Sequence, residues 1–423
     1  MENHSPEITR DSMFYRFSLY GFLKNLRFFD PFILLIFRSY GLSFLQIGIL
    51  YSIRDVATNL LELPTGLLAD SFGRRRAMVS AFLSYIVSFV ILYSLRDFGF
   101  LAAAMIFFAF GDAFRTGTHK ALILEYLKIN NISDLKVAYY GLTRSASQLG
   151  SALNSLIAAG LVFYTGSYRI MFLASTIPYT LDLINLATYP KELDGDISPV
   201  KGKEIWTRFV STLKGFIRTM KDGSAVKVIL NSASFTAVFK STKDYLQPMI
   251  STLALSLLLF TALEETRREA LLIGVIYFVI YLLTSLASRR AYYFSSRFKD
   301  LPRVVNFTYL VGIGLMVAAG VMAAAGLELI AVICFIGMFM LSNIRRPINV
   351  GFISDQISPR VMASGLSTET LLTTMFSALF APLLGLMVDK IGLGIGIAIM
   401  GLVMVPLFFV VRVGEKDDQP PAN

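Results

Sequence analysis

Runs of about twenty mainly apolar residues recur along almost the whole chain, and nothing else in the sequence restricts its fold as strongly. A bilayer core about 30 Å thick needs about 20 such residues per helix. Twelve candidate spans can be placed, at 15–37, 45–68, 76–95, 99–126, 137–164, 168–189, 228–260, 270–294, 302–325, 328–352, 362–388 and 391–412. The runs are too long, and alternate too little, for the short strands of a closed barrel. Helices are the other structure that satisfies its own backbone in lipid. Composition agrees: 55% of the 423 residues are hydrophobic and 16% charged, against about 25% charged in soluble domains. The expected fold class is an all-α membrane protein with twelve transmembrane helices.

The single cysteine, Cys334, excludes a disulfide scaffold and a Cys-based zinc site. Two histidines, His4 and His119, exclude a His-rich metal site. No metal and no cofactor is expected. No cleavable signal peptide is evident, because Glu2, Glu7, Arg10 and Asp11 precede the first apolar run and Lys24, Arg27 and Asp30 interrupt it.

A net charge of +10 on so apolar a chain raises nucleic acid, a membrane surface or anionic ligands as partners. Sorting the 39 basic residues by position decides among them. With the amino terminus inside, cytoplasmic segments hold 23 and extracellular loops 6, namely Arg38, Arg96, Arg169, Arg267, Arg268 and Lys390. This is a positive-inside asymmetry that puts both termini in the cytoplasm. It removes the support for nucleic acid and predicts a multi-pass protein of the plasma (inner) membrane.

The longest polar segment divides the spans six and six. The expected organisation is a first six-helix bundle over 1–190, a cytoplasmic linker over 191–227, a second bundle over 228–413 and a disordered tail over 414–423. Within the linker, Trp206, Phe209, Val210, Leu213, Phe216, Ile217 and Met220 share one helical face, and basic residues take the others. Such a helix suits the anionic inner leaflet. The halves also repeat faintly. Lys24, Arg27 and Pro31 in the first span answer Lys240, Lys243 and Pro248 in the seventh. Ile47–Gly48 answers Ile273–Gly274, Arg115 answers Arg345, and Gly141 and Gly160 answer Gly365 and Gly385. The matches keep their order at offsets from 216 to 230. Transporters built from repeats of this kind place substrate near the midplane between the halves.

Between the second and third spans stands Gly66-Leu67-Leu68-Ala69-Asp70-Ser71-Phe72-Gly73-Arg74-Arg75-Arg76. It resembles the cytoplasmic signature loop of the major facilitator superfamily: Gly, three residues, Asp, two residues, Gly, Arg, then Arg or Lys. The resemblance covers the whole chain and implies a secondary transporter working by alternating access. It further implies that Gly66, Asp70, Gly73, Arg74 and Arg75 form a gate, with Asp70 contacting the second half in the outward-facing state. The second-half copy is lost, since Ser296 and Lys299 stand where Asp70 and Gly73 would repeat. The fifth span lacks the Gly-Pro pair of the superfamily's exporters, which removes one reason to expect efflux.

Ten basic residues fall in the interiors of spans, away from their ends: Lys24, Arg27, Arg54, Arg115, Lys120, Arg144, Lys240, Lys243, Arg345 and Arg346. Seven acids accompany them: Asp30, Asp55, Glu62, Asp112, Asp182, Asp244 and Glu369. Each charge costs about 2.5–3.5 kcal/mol or more if it faces lipid, so they should face a cavity or one another. One reading pairs them internally, Asp112 with Arg115, Asp244 with Lys243 or Lys240, and Asp55 with Arg54 or a neighbour. The other takes the basic excess, Lys24, Arg27, Arg115, Arg144, Lys240, Lys243 and Arg345, as a clamp for an anionic substrate. Asp30, Asp112 and Glu369 are the candidate carboxylates for proton coupling. His119 fits a structural or gate role better than a relay.

The expected function is transport of a small organic solute, anionic and proton-coupled, by a monomer in the lipid bilayer. Multidrug efflux is the alternative, and a non-transporting sensor or scaffold is a third. No Gly-x-Ser-x-Gly, His-Glu-x-x-His or phosphate-binding glycine loop points to an enzyme.

Overall fold

The computed structural model describes residues 10–195, 197, 207, 210, 214–216, 223–257, 261–356 and 362–414. The described residues are helical almost throughout and include no strand. The interfacial helix expected around 206–220 and the tail after 414 fall mainly outside them. The side chain of Asp70 also falls outside them, although the backbone of Gly66 and Asp70 is helical.

Among the described residues sixteen α-helices follow one another: α1 (Ser12–Leu23), α2 (Ile33–Ser39), α3 (Phe44–Phe72), α4 (Arg74–Ser94), α5 (Phe98–Arg115), α6 (Thr118–Ile129), α7 (Lys136–Thr165), α8 (Ile170–Ala187), α9 (Gly223–Thr242), α10 (Leu246–Ser256), α11 (Glu265–Arg289), α12 (Ala291–Ser295), α13 (Leu301–Ala324), α14 (Glu328–Gln356), α15 (Met362–Ile391) and α16 (Leu393–Val411). Local chemistry sets several starts. The Asp11 carboxylate accepts the Phe14 N–H at the head of α1 (2.9 Å), and Asp97 and Asp300 do the same for α5 and α13. At α3, Ser43 and Gln46 bond reciprocally at 2.9 and 3.1 Å, a capping box.

Nine helical segments are long and apolar enough to cross a bilayer among the described residues. The other three expected spans have physical reasons to fall short of that measure. The first is broken, with α1 ending at Leu23 and a 3₁₀ turn, Asp30–Phe32, preceding α2. The seventh is broken between α9 and α10 by a second 3₁₀ turn, Lys243–Tyr245. The second, α3, carries Arg54, Asp55, Glu62 and Asp70 within its length. The first break begins at Lys24 and contains Arg27, and the second begins at Lys243, one turn after Lys240; these are the basic pairs that the internal repeat matches. A further interruption separates α5 from α6 at Thr116–Gly117, where Gly117 has φ +79°.

The chain forms two compact units. The first comprises Met1–Phe32 with Ala57–Arg208, the second Ile33–Val56 with Phe209–Asn423. The expected boundary near 190 therefore lies inside the first unit, and a segment of the first six spans belongs to the second. Specific contacts explain that transfer. The Leu34 N–H donates to Gln247 Oε1 (2.9 Å), the Ser52 hydroxyl to the Ala378 carbonyl (2.8 Å), and the Phe44 and Leu45 N–H groups to the two oxygens of Asp389 (3.0 and 2.8 Å).

In the first unit α4 packs between α5 and α8, and α1 against α7 and α8. Its core is aromatic. Phe29, Phe82, Tyr85, Phe89 and Tyr179 are all 1% exposed or less, and their rings meet mostly edge-on, as Tyr179 does with Tyr85 and Phe89. Helix α7 approaches α1 closely because position 150 is glycine; a Cβ there would lie 2.5 Å from the Phe22 carbonyl oxygen. In the second unit α13 packs between α14 and α16, and α9 against α15. A buried apolar cluster of Val228, Ile229, Val304, Val305, Ile348 and Phe352 closes one end of it.

Candidate functional site

The break after α1 leaves carbonyl groups that no helix satisfies, and side chains from other helices take them. The Tyr179 hydroxyl donates to the Lys24 carbonyl (2.9 Å), and the Asn154 amide donates to that of Arg27 (3.0 Å). The Phe28 N–H donates to buried Ser175 (3.0 Å). This ties down a non-helical turn carrying two cations, Lys24 and Arg27, inside the first unit.

Arg27 reaches α5 and α8. Its Nε donates to Tyr179 Oη (2.6 Å), its Nη2 lies 3.5 Å from Asp112 Oδ1, and its guanidinium sits over the Phe108 ring (4.9 Å). Arg115, one turn beyond Asp112, donates from Nη2 to the same Oδ1 (3.1 Å) and from Nε to Tyr85 Oη (2.9 Å). Tyr85 in turn donates to that oxygen (2.5 Å). One carboxylate oxygen thus receives two guanidiniums and a phenol, each ion-paired side chain about a fifth exposed. Lys24 makes no ion pair among the described residues; its Nζ lies 5.1 Å from the Tyr20 ring centroid. The expected Asp112–Arg115 pair is present, and Arg27 joins it. Arg144 is exposed on α7. Asp30 begins the 3₁₀ turn that follows.

The second unit holds a separate group. Lys240 Nζ lies 2.8 Å from Asp55 Oδ2, with Arg54 (3.3 Å) and the Ser377 hydroxyl (3.1 Å) on the same carboxylate. Lys243 pairs with Asp244 (3.0 Å). Deeper, Arg345 is 2% exposed. It donates to the Val305 carbonyl (2.7 Å), Thr308 Oγ1 (2.5 Å) and Asn231 Oδ1 (2.8 Å), and packs over the Phe235 ring (4.2 Å). Glu369 accepts from the hydroxyls of Ser232 (3.0 Å) and Thr373 (3.4 Å), and the Asn349 amide donates to Ser232 (3.0 Å). His119 is buried and stacked on Tyr20 with centroids 3.5 Å apart, a packing role.

In the signature loop, Gly73 has φ +93°, a conformation that favours glycine. The Arg75 N–H, at the head of α4, donates to Asp194 Oδ1 (2.7 Å). Arg74 pairs with Glu125 (3.5 Å) and Arg75 donates to the Ala187 carbonyl (3.2 Å). Sequence reasoning missed Asp194, the aromatic partners Tyr85 and Tyr179, and the remote cap Asp389. The capping box at Ser43–Gln46 and the acid just past the sixth span were signals available for two of these neighbourhoods.

Apolar helices interrupted at paired charges, with those charges turned onto one another and onto phenols, define a multi-pass helical membrane protein of the transporter class. A family model described as Major Facilitator Superfamily matches residues 17–369, and the chain belongs to that superfamily. The MFS-type transporter YxaM of Bacillus subtilis (strain 168) is 24% identical over 247 residues. That match spans 58% of this chain and 60% of the relative's length. The nucleoside transporter NupG has the same fold, with TM-score 0.76 at 13% identity over 95% of this chain and 98% of its own. The peptide transporter POT, solved in complex with sulfate, gives TM-score 0.68 at 13% identity over 95% and 96%. A bacterial homologue of the human lysosomal transporter Spinster gives 0.68 at 14% over 98% and 100%.

Proposed function

We propose that this MFS-type transporter carries a small organic anion, coupled to protons, by alternating access between its two bundles in the plasma membrane, with both termini cytoplasmic. The observation that carries the reading is the Asp112 cluster. One carboxylate oxygen serves both Arg27 and Arg115, each guanidinium has further donors, and Lys24 stands nearby with no ion pair among the described residues. A carboxylate or phosphate group would complete these donors in the bidentate manner guanidiniums favour. Lys240 and Lys243 form the repeat-related basic pair, and Arg144 adds an exposed cation. Arg345 supports the fold of its unit rather than the anion, because it is buried and both of its terminal nitrogens are held by internal acceptors.

Among the candidate proton carriers, Asp112 is held as a counter-ion and Asp30 lies within the basic turn. Glu369 meets only neutral hydroxyl partners, Ser232 and Thr373, and makes no ion pair among the described residues, so it can take up a proton without breaking an ion pair and is the preferred carrier of the three. Asp70 and the loop from Gly66 to Arg75 act as the cytoplasmic gate.

A thermal-shift screen of the purified protein against organic anions, amino acids, nucleosides and cationic drugs tests the reading. Hits should concentrate among anions and disappear in Arg115→Gln. Cationic drugs that stabilise wild type and Arg115→Gln alike would refute the anion site and favour multidrug efflux.

A further inference from the structure

Asp182, on α8, is 0% exposed and belongs to no pair described above. Its Oδ1 accepts from the Asn185 amide (3.2 Å). Among the described residues its Oδ2 has no hydrogen-bonding partner, and no cation lies within ion-pair distance. An isolated buried carboxylate is costly, several kcal/mol even after relaxation.

Register fixes where this carboxyl sits. Helices α1 and α8 are tied at two levels. The Tyr179 hydroxyl reaches the Lys24 carbonyl (2.9 Å), and the Asn185 amide reaches the Arg16 carbonyl (3.2 Å). Asp182 falls midway between Tyr179 and Asn185, level with Tyr20, the ring over which the Lys24 ammonium lies (5.1 Å). Lys24 thus starts from the turn that carries Arg27 and lays its ammonium toward the level of Asp182.

We propose that Asp182 is a proton site that sets the charge of the anion cluster. Ionised, it claims Lys24 and leaves the cluster closer to neutral. Protonated, from water admitted when the unit opens, it releases Lys24 to the anion, so proton and anion bind together. The proposal rests on the anion reading above and extends it to a residue outside the three carboxyls considered there.

The other groups that bear on this carboxyl are Arg16 and Tyr20 on α1, Lys24 just past it, Tyr85 on α4, Arg115 on α5, His119 on α6, Arg144 on α7, and Tyr179, Asn185 and Tyr189 on or just past α8. Arg16 is occupied with the Asn185 carbonyl and Thr188 (2.8 and 2.6 Å). Tyr85 and Arg115 are committed to Asp112, and Arg144 is exposed. Lys24 is the cation left to answer Asp182.

Infrared difference spectroscopy of the full chain in lipid nanodiscs tests this, by following the carbonyl stretch of an uncharged carboxyl. At pH 7 wild type should show such a band, shifted in deuterium oxide and missing from Asp182→Asn. Adding sulfate, the probe anion, should raise the ratio of protonated to ionised carboxyl about tenfold. In Lys24→Met the band should be present in full without sulfate and indifferent to it. Superimposable wild-type and Asp182→Asn spectra would overturn the proton site. A sulfate response that persists in Lys24→Met would overturn the role of Lys24. Should Asp182→Asn fail to fold, Asp182→Glu must displace the same band. Thermal stabilisation by sulfate is recorded in parallel. Its absence counts against the anion reading, whereas the sulfate-free band reports on Asp182 alone.

Discussion

Replacing Asp112 by Asn removes a charge while keeping the shape that Tyr85 packs against. Arg27 and Arg115 would keep at most a neutral amide oxygen in place of the carboxylate oxygen they share at 3.5 and 3.1 Å, and two guanidiniums would face each other without a counter-charge. A fully buried ion pair deprived of one partner loses about 3–5 kcal/mol, and an exposed one about 0–1 kcal/mol. The three side chains are 19–24% exposed, so the expected loss is about 2 kcal/mol. Thermal and denaturant unfolding in detergent read this directly. The anion reading adds a second expectation. Sulfate should restore the variant, because an anion at a hundred times its dissociation constant contributes about 2.7 kcal/mol. The restoration should exceed the gain of wild type and should not be matched by chloride at equal ionic strength. A variant as stable as wild type, with no surplus response to sulfate, would refute the idea that Asp112 stands in for a bound anion.

Two further expectations follow from single contacts. Arg345→Gln should lower the stability of the ligand-free protein by about 2–4 kcal/mol, since three buried acceptors lose a charged donor; unchanged unfolding with lost ligand binding would make Arg345 a substrate contact instead. Asp389→Ala should cost about 1 kcal/mol and speed amide hydrogen exchange at Phe44 and Leu45 specifically, and unaltered exchange there would show that the Ser43–Gln46 capping box suffices.

The long apolar runs made the helices legible, because lipid leaves so few ways to satisfy a backbone. The signature loop made the family legible, because Gly73 adopts a positive φ and a run of three arginines follows it directly. The basic pairs were readable as special positions, since charges at depth are rare. Their partners were not. Asp112–Arg115 and Lys243–Asp244 lie close in sequence and could be guessed from helical spacing. Arg27–Asp112 and Lys240–Asp55 join residues far apart in the chain, and no local periodicity reports such a meeting. Arg345 illustrates the same limit from the other side. A lone arginine in a span invites a ligand, yet neutral carbonyl, hydroxyl and amide acceptors from α9 and α13 are enough to hold it. The transfer of Ile33–Val56 to the second unit was equally hidden, because it depends on remote partners such as Gln247 and Asp389.

Asp194 carries a practical lesson for anyone dissecting the molecule. Its carboxylate caps α4 by way of the Arg75 N–H, although it lies past the last helix of the first six. A half-transporter cut at the end of that helix, around residue 190, would contain all six apolar segments of its half and still lose the anchor of its signature loop. A fragment continued through Gly195 would keep it. The segment that looks like the beginning of a connector is, in its first residues, a structural component of the loop it follows.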